Sequence, residues 1–109
     1  MAWFHKSLTE MQAAIEAEDW PKVKEILQQH NRHLDSKSKK IKHDISDISL
    51  AISDYSQHLS QISSMLKSLE KHGSNTKDLM ELKVKAAIEC AWKFEKTIMH
   101  LIKEGKFLE

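Results

Sequence analysis

With one cysteine, Cys90, among 109 residues, the chain can form no internal disulfide and is not a small secreted scaffold held by crosslinks. Two glycines, one proline and few β-branched runs argue against a sheet protein; with long helical periodicities they make the class all-α. No apolar run exceeds four residues, so neither a transmembrane helix nor a signal-peptide core is expected. The protein therefore reads as cytoplasmic. A net charge of +1 lacks the basic excess of a dedicated nucleic-acid binder, and no Gly-rich phosphate loop is present. The length suits one domain with a modest core.

What the chain has is a stripe. Apolar residues fall at 41, 45, 48, 52, 55, 59, 62, 66 and 69, alternating gaps of four and three over four heptads. That spacing predicts a long helix from Ile41 to Leu69, roughly 44 Å in length, which needs a partner along its whole seam. Ile45, Ile52, Leu59 and Leu66 take the a positions, and Ile41, Ile48, Tyr55, Ile62 and Leu69 take d. Ser46, Ser49, Ser53, Ser56, Ser60 and Ser63 each follow a stripe residue by one place. They are either the solvated border of the seam or the floor of a groove in which a partner helix docks.

Before the stripe the sequence predicts two shorter helices. Ser7-Leu8-Thr9-Glu10 has the form of a capping box and sets the first helix from there to Glu18 or Asp19, with Leu8, Met11, Ala14 and Ile15 as its apolar face. Trp3 and Phe4 precede the cap and pack back onto the bundle. Asp19-Trp20-Pro21 restarts the chain as a second helix, Asp19 serving as N-cap and Pro21 standing in the first turn. Trp20, Val23, Ile26, Leu27, His30 and Leu34 share its inner side. A break or kink near Asp35 to Ser38, with Asp44 and Asp47 favouring a new start, is preferred over one continuous helix of some fifty residues.

Gly73 ends the long helix, and Ser74, Asn75 or Thr76 caps a fourth that runs to Gly105. Met80, Val84, Ala87, Ala91, Phe94, Ile98 and Leu101 repeat the four-three spacing and make this last helix the antiparallel mate of the third. The expected fold is an antiparallel bundle of four helices: two short N-terminal helices, one long central helix and one long C-terminal helix. Leu108 and Glu109 are expected to be a vector-derived tail, which sets the domain at residues 1–107. A second apolar set on the last helix, Ile88, Trp92, Met99 and Ile102, lies off the seam. It either meets the first two helices or forms an interaction patch.

Reactive residues form no constellation along the sequence. His30 and His33 sit one turn apart, but no third ligand joins them at a metal-binding spacing, and Cys90 stands alone. Asp54 and His58, four apart among serines, lie on one straight helix without the turn or oxyanion donors that acyl transfer needs. No catalytic residue, metal or cofactor is expected, and the protein is read as a non-enzyme. Residues 22–43 carry seven Lys/Arg against Glu25 and Asp35, a run that reads as a solvated hinge before a partner site.

The stretch Ala14-Ile15-Glu16-Ala17-Glu18-Asp19-Trp20-Pro21-Lys22-Val23-Lys24-Glu25-Ile26-Leu27 resembles the start of the small flagellar export chaperones that serve the filament-cap protein. The helix order is similar over the remainder. The resemblance implies an adaptor whose last helix covers a client groove, with Met80, Phe94 and Ile98 lying over Ile52, Tyr55 and Leu59. Partner contacts are therefore expected at Ile52, Tyr55, Leu59, Ile88, Trp92, Met99 and Ile102, with a secreted or flagellar protein as partner and no nucleic acid or membrane. The rival expectation is a self-associating structural protein, in which two long hairpins pair as a homodimeric four-helix bundle.

Overall fold

The computed structural model describes residues 3–41, 46–73 and 75–107, with the backbone alone at 46–48. Four helices make up the fold: α1 (Trp3–Glu16), α2 (Trp20–Ser38), α3 (Ser46–His72) and α4 (Lys77–Lys103). Each packs on the next, and α4 returns to pack on α1. Phe4 of α1 also meets Tyr55 of α3 across the diagonal, and with four helices as its elements the fold is an all-α bundle. At one end of the α1–α4 pair Lys77 Nζ donates to the Glu16 carbonyl at 3.3 Å; at the other the His5 amide donates to Glu95 Oε1 at 3.1 Å. The two helices therefore run antiparallel. No helix among the described residues is long and apolar enough to cross a membrane.

The capping-box reading of Ser7 is corrected by the fold. α1 already starts at Trp3, because Phe4 and Leu8, one turn apart, both bury in the core and draw the helix past the local cap signal. Ser7 is interior and buried, and its hydroxyl meets His30 instead of a free amide. At the other end α1 stops at Glu16, two or three residues earlier than expected. Glu18 adopts φ 56°, its amide donating to the Ile15 carbonyl and the Asp19 amide to the Ala14 carbonyl. Asp19 thus closes α1 with its backbone and caps α2 with its carboxylate, which accepts from the Lys22 amide at 3.4 Å.

A left-handed backbone costs an L-residue about 1–2 kcal/mol, part of which glycine's extra freedom in the unfolded chain offsets. Glu18→Gly is therefore expected to stabilise the protein by about 0.5–1 kcal/mol, raising the thermal midpoint by about 3–6 °C. A midpoint that stays put or falls would show that position 18 carries no strain.

The chain does break between α2 and α3, but later than Asp35 to Ser38. Ser38 donates its hydroxyl to the Leu34 carbonyl at 2.7 Å within the last turn of α2, and Lys39 is the C-cap. Ile41 does not belong to the long helix: it is buried in an isolated antiparallel bridge with Phe107, so the C-terminal tail rather than α4 covers it. In the basic run, Lys39 pairs with Asp35 at 3.1 Å in solvent and Lys37 lies over the Phe107 ring. Asp44, Ile45, Ser74 and the Leu108–Glu109 tail lie outside the described residues, as do the side chains of Ser46, Asp47 and Ile48.

From Ile52 onward the stripe behaves as the spacing demands. Tyr55, Leu59, Ile62 and Leu66 are buried, Ile52 and Leu69 pack against the same core, and the whole α4 seam from Met80 to Leu101 is buried opposite. Ser49, Ser53, Ser56 and Ser60 are exposed along the edge of that seam. Gly73 ends α3 at φ 64°. Thr76 is the N-cap of α4, yet its hydroxyl donates to the Met65 carbonyl, so it ties the α3–α4 turn instead of a free amide. At Gly105, φ 70°, the Lys106 amide reaches the Leu101 carbonyl and closes α4.

Candidate functional site

Where α1 begins, aromatic and histidine rings from all four helices converge. Phe4 meets Phe94 edge-on at 5.3 Å and Tyr55 at 6.2 Å, and Trp3 stacks on His30 at 5.6 Å and lies 4.1 Å from His33. His30 is fully buried, its Nε2 2.5 Å from the Tyr55 hydroxyl and its Nδ1 2.9 Å from Ser7 Oγ. Burial, then the neighbouring His33, lowers its pKa to about 4, so the ring is neutral at pH 7. Burial raises the Tyr55 phenol, with Glu95 and Cys90 adding to the rise. The phenol, the stronger acid of the pair, donates to Nε2, which leaves Nδ1–H to donate to Ser7. Both polar groups of this buried imidazole are satisfied.

Beside this cluster lies a cavity of about 250 Å³ lined by Trp3, Phe4, His33, Lys37, Phe94, Glu95 and Ile98. α1 has 14 residues against 27 in α4, and its first turn stands opposite Glu95. Residues seven apart share a face of a helix. Ile88, Glu95 and Ile102 form one such row and Trp92 with Met99 the adjoining one. Both rows face α1 where α1 exists, since His5 bonds Glu95 through its amide and lays its ring 4.7 Å from that of Trp92. Further along the same rows Met99 and Ile102 are 46% and 37% exposed.

The seven residues expected to touch a partner therefore divide. Tyr55 and Leu59 are fully buried, and Ile52 and Ile88 are partly buried against the core. They could meet a client only if α4 moved away. Trp92, 57% exposed, stands with Met99 and Ile102 on the surface. The cavity residues Trp3, His33, Lys37 and Glu95 were not foreseen; the unequal lengths of the first and last helices are the feature that pointed to them. Asp54, His58 and Cys90 meet on the far side of the bundle, across the α3–α4 seam.

Comparison with known protein families, curated proteins and solved structures finds no match to this chain.

Proposed function

We propose that the protein is a cytoplasmic, non-enzymatic helical adaptor that seats an amphipathic helix of a partner protein beyond the N-terminus of α1. The observation that carries this reading is that Trp92, Met99 and Ile102 are exposed on rows of α4 while Glu95 and Ile98 of the same helix line a cavity. A partner helix would lay its apolar face over Met99 and Ile102. The cavity lining carries one cation, Lys37, and one carboxylate, Glu95, so it favours a segment of mixed or neutral charge beside its apolar residues. The resemblance to the flagellar export chaperones names a first candidate, the filament-cap protein. Pairing of two copies through the α3 stripe is disfavoured, because α4 already buries that stripe within one chain.

The test is titration calorimetry with the filament-cap protein from the same organism, alongside light scattering of the protein alone. Binding to a monomer is expected. Trp92→Ala combined with Met99→Ala should weaken it by about tenfold or more, as truncation of an aromatic anchor does. Because both side chains are largely exposed, stability should fall by no more than about 1 kcal/mol. A wild-type protein that ignores the cap protein would remove the flagellar assignment, and binding that survives the double change would remove the groove. A tight dimer would restore self-association.

A further inference from the structure

We propose that Asp54, His58 and Cys90 form a binding site for a thiophilic divalent cation, with Zn²⁺ the best match, on the outer side of the α3–α4 seam. Asp54 and His58 are one turn apart on α3, and Cys90 comes from the antiparallel α4, so two packed helices present three different ligands to one point. Their donor atoms all lie within 4.8 Å of one another. Cys90 Sγ is 3.7 Å from Asp54 Oδ2, and His58 Nε2 is 3.8 Å from Asp54 Oδ1. The second distance is too long for a hydrogen bond. Both are close to the edge of a zinc tetrahedron: bonds of about 2.0–2.3 Å opened to the tetrahedral angle place neighbouring donors about 3.3–3.7 Å apart.

A second observation points the same way. His58 Nδ1 is buried with no hydrogen-bond partner, and Nε2 faces Asp54 Oδ1 at 3.8 Å, beyond hydrogen-bond reach. Gln61, one turn further along α3, has its Oε1 buried and unpartnered as well. Metal-bound histidines commonly give their second ring N–H to such an acceptor behind the ligand.

Charge agrees with geometry. A thiolate, a carboxylate and a neutral imidazole balance a divalent cation, with the thiol proton released to solvent as the Sγ–metal bond forms. Thiolate and imidazole ligands select zinc over magnesium or calcium, which prefer oxygen. The Asp54 side chain is 66% exposed, which leaves the fourth position open to water or to a ligand from another molecule. Bound there, the ion would staple α3 to α4.

The experiment uses the full chain, stripped with chelator and titrated with Co²⁺ as a spectroscopic probe and with Zn²⁺ by calorimetry. One ion per chain is expected, with the visible absorption of tetrahedral cobalt and a near-ultraviolet thiolate-to-cobalt band. Zn²⁺ should also slow alkylation of Cys90. Cys90→Ser should abolish the thiolate band, and both it and His58→Gln should weaken Zn²⁺ binding by more than about tenfold, the loss that even a change behind the ligands produces. All three positions lie at or near the surface, so the variants should fold, which circular dichroism checks. Binding that survives Cys90→Ser unchanged would place the ion at other histidines, and no binding at micromolar Zn²⁺ would reduce the cluster to a thiol–carboxylate contact. Either outcome overturns the site.

Discussion

Phe94→Ala is expected to lower the free energy of unfolding by about 3–5 kcal/mol, the range for removing a buried aromatic ring. Phe94 is 1% exposed and sits where three helices meet, edge-on to Phe4 of α1 at 5.3 Å and to Tyr55 of α3 at 6.0 Å. Each of those edge-to-face pairs adds about 0.5–1.5 kcal/mol beyond buried area. The ring also forms a wall of the 250 Å³ cavity, so its loss would enlarge that space and leave Phe4 without its edge-on partner from α4. Domains of this size are stable by only about 5–15 kcal/mol, so the variant should lose about a fifth of its stability or more. Urea denaturation followed by circular dichroism measures the change, and an unaltered slope would show that the loss is in packing rather than in compactness. Leu82→Ala is the control: the same helix, but 60% exposed, with an expected change within about 0.5 kcal/mol. A loss below about 1 kcal/mol for Phe94→Ala would mean that the aromatic cluster is not closely packed.

Most of the bundle was legible because periodicity is a direct image of burial. The α4 seam from Met80 to Leu101 and the α3 residues Tyr55, Leu59, Ile62 and Leu66 are buried as their spacing requires. Errors arose where a local rule competed with a tertiary contact. Ser7 to Glu10 is a valid capping box, yet the burial of Phe4 outweighed it and carried α1 back to Trp3. Ile41 continues the heptad phase but leaves the helix, because the tail residue Phe107 offers it a burial partner that no periodicity contains. Of the expected contact residues, Trp92, Met99 and Ile102 are exposed because they lie off the seam, whereas Tyr55 and Leu59 lie on it and are closed over. The Asp54, His58 and Cys90 cluster was invisible for another reason. Its third member is 36 residues away, and only the register of two antiparallel helices brings it to the other two.

Stability is expected to fall by roughly 3 kcal/mol as the pH drops from about 6.5 to about 4, and His30 is the cause. In the unfolded chain the imidazole titrates near 6.5, but in the fold burial and the adjacent His33 lower its pKa to about 4. Between those values the unfolded state holds the extra proton, so each step toward acid favours unfolding. Above pH 6.5 both states are neutral and the contribution is complete. His33, lowered by its own burial and by Lys37 and Lys40, acts in the same direction. The structure explains why the proton is so unwelcome: the ring is fully buried and its two nitrogens meet the neutral hydroxyls of Tyr55 and Ser7, so a positive charge there would lose its hydration and gain no counter-charge from either partner. Urea denaturation at pH 7, 6, 5 and 4 measures the slope, with His30→Gln as the comparison. The glutamine variant should be less stable at pH 7, since its amide fits the Ser7 and Tyr55 partners less well, but its acid limb should be flatter. Equal slopes for the two proteins would shift the acid sensitivity to other groups. If the slope belongs to His30, acid loosens the end of the bundle where Trp3 and Phe4 wall the cavity, so partner binding and stability should decline over the same pH interval.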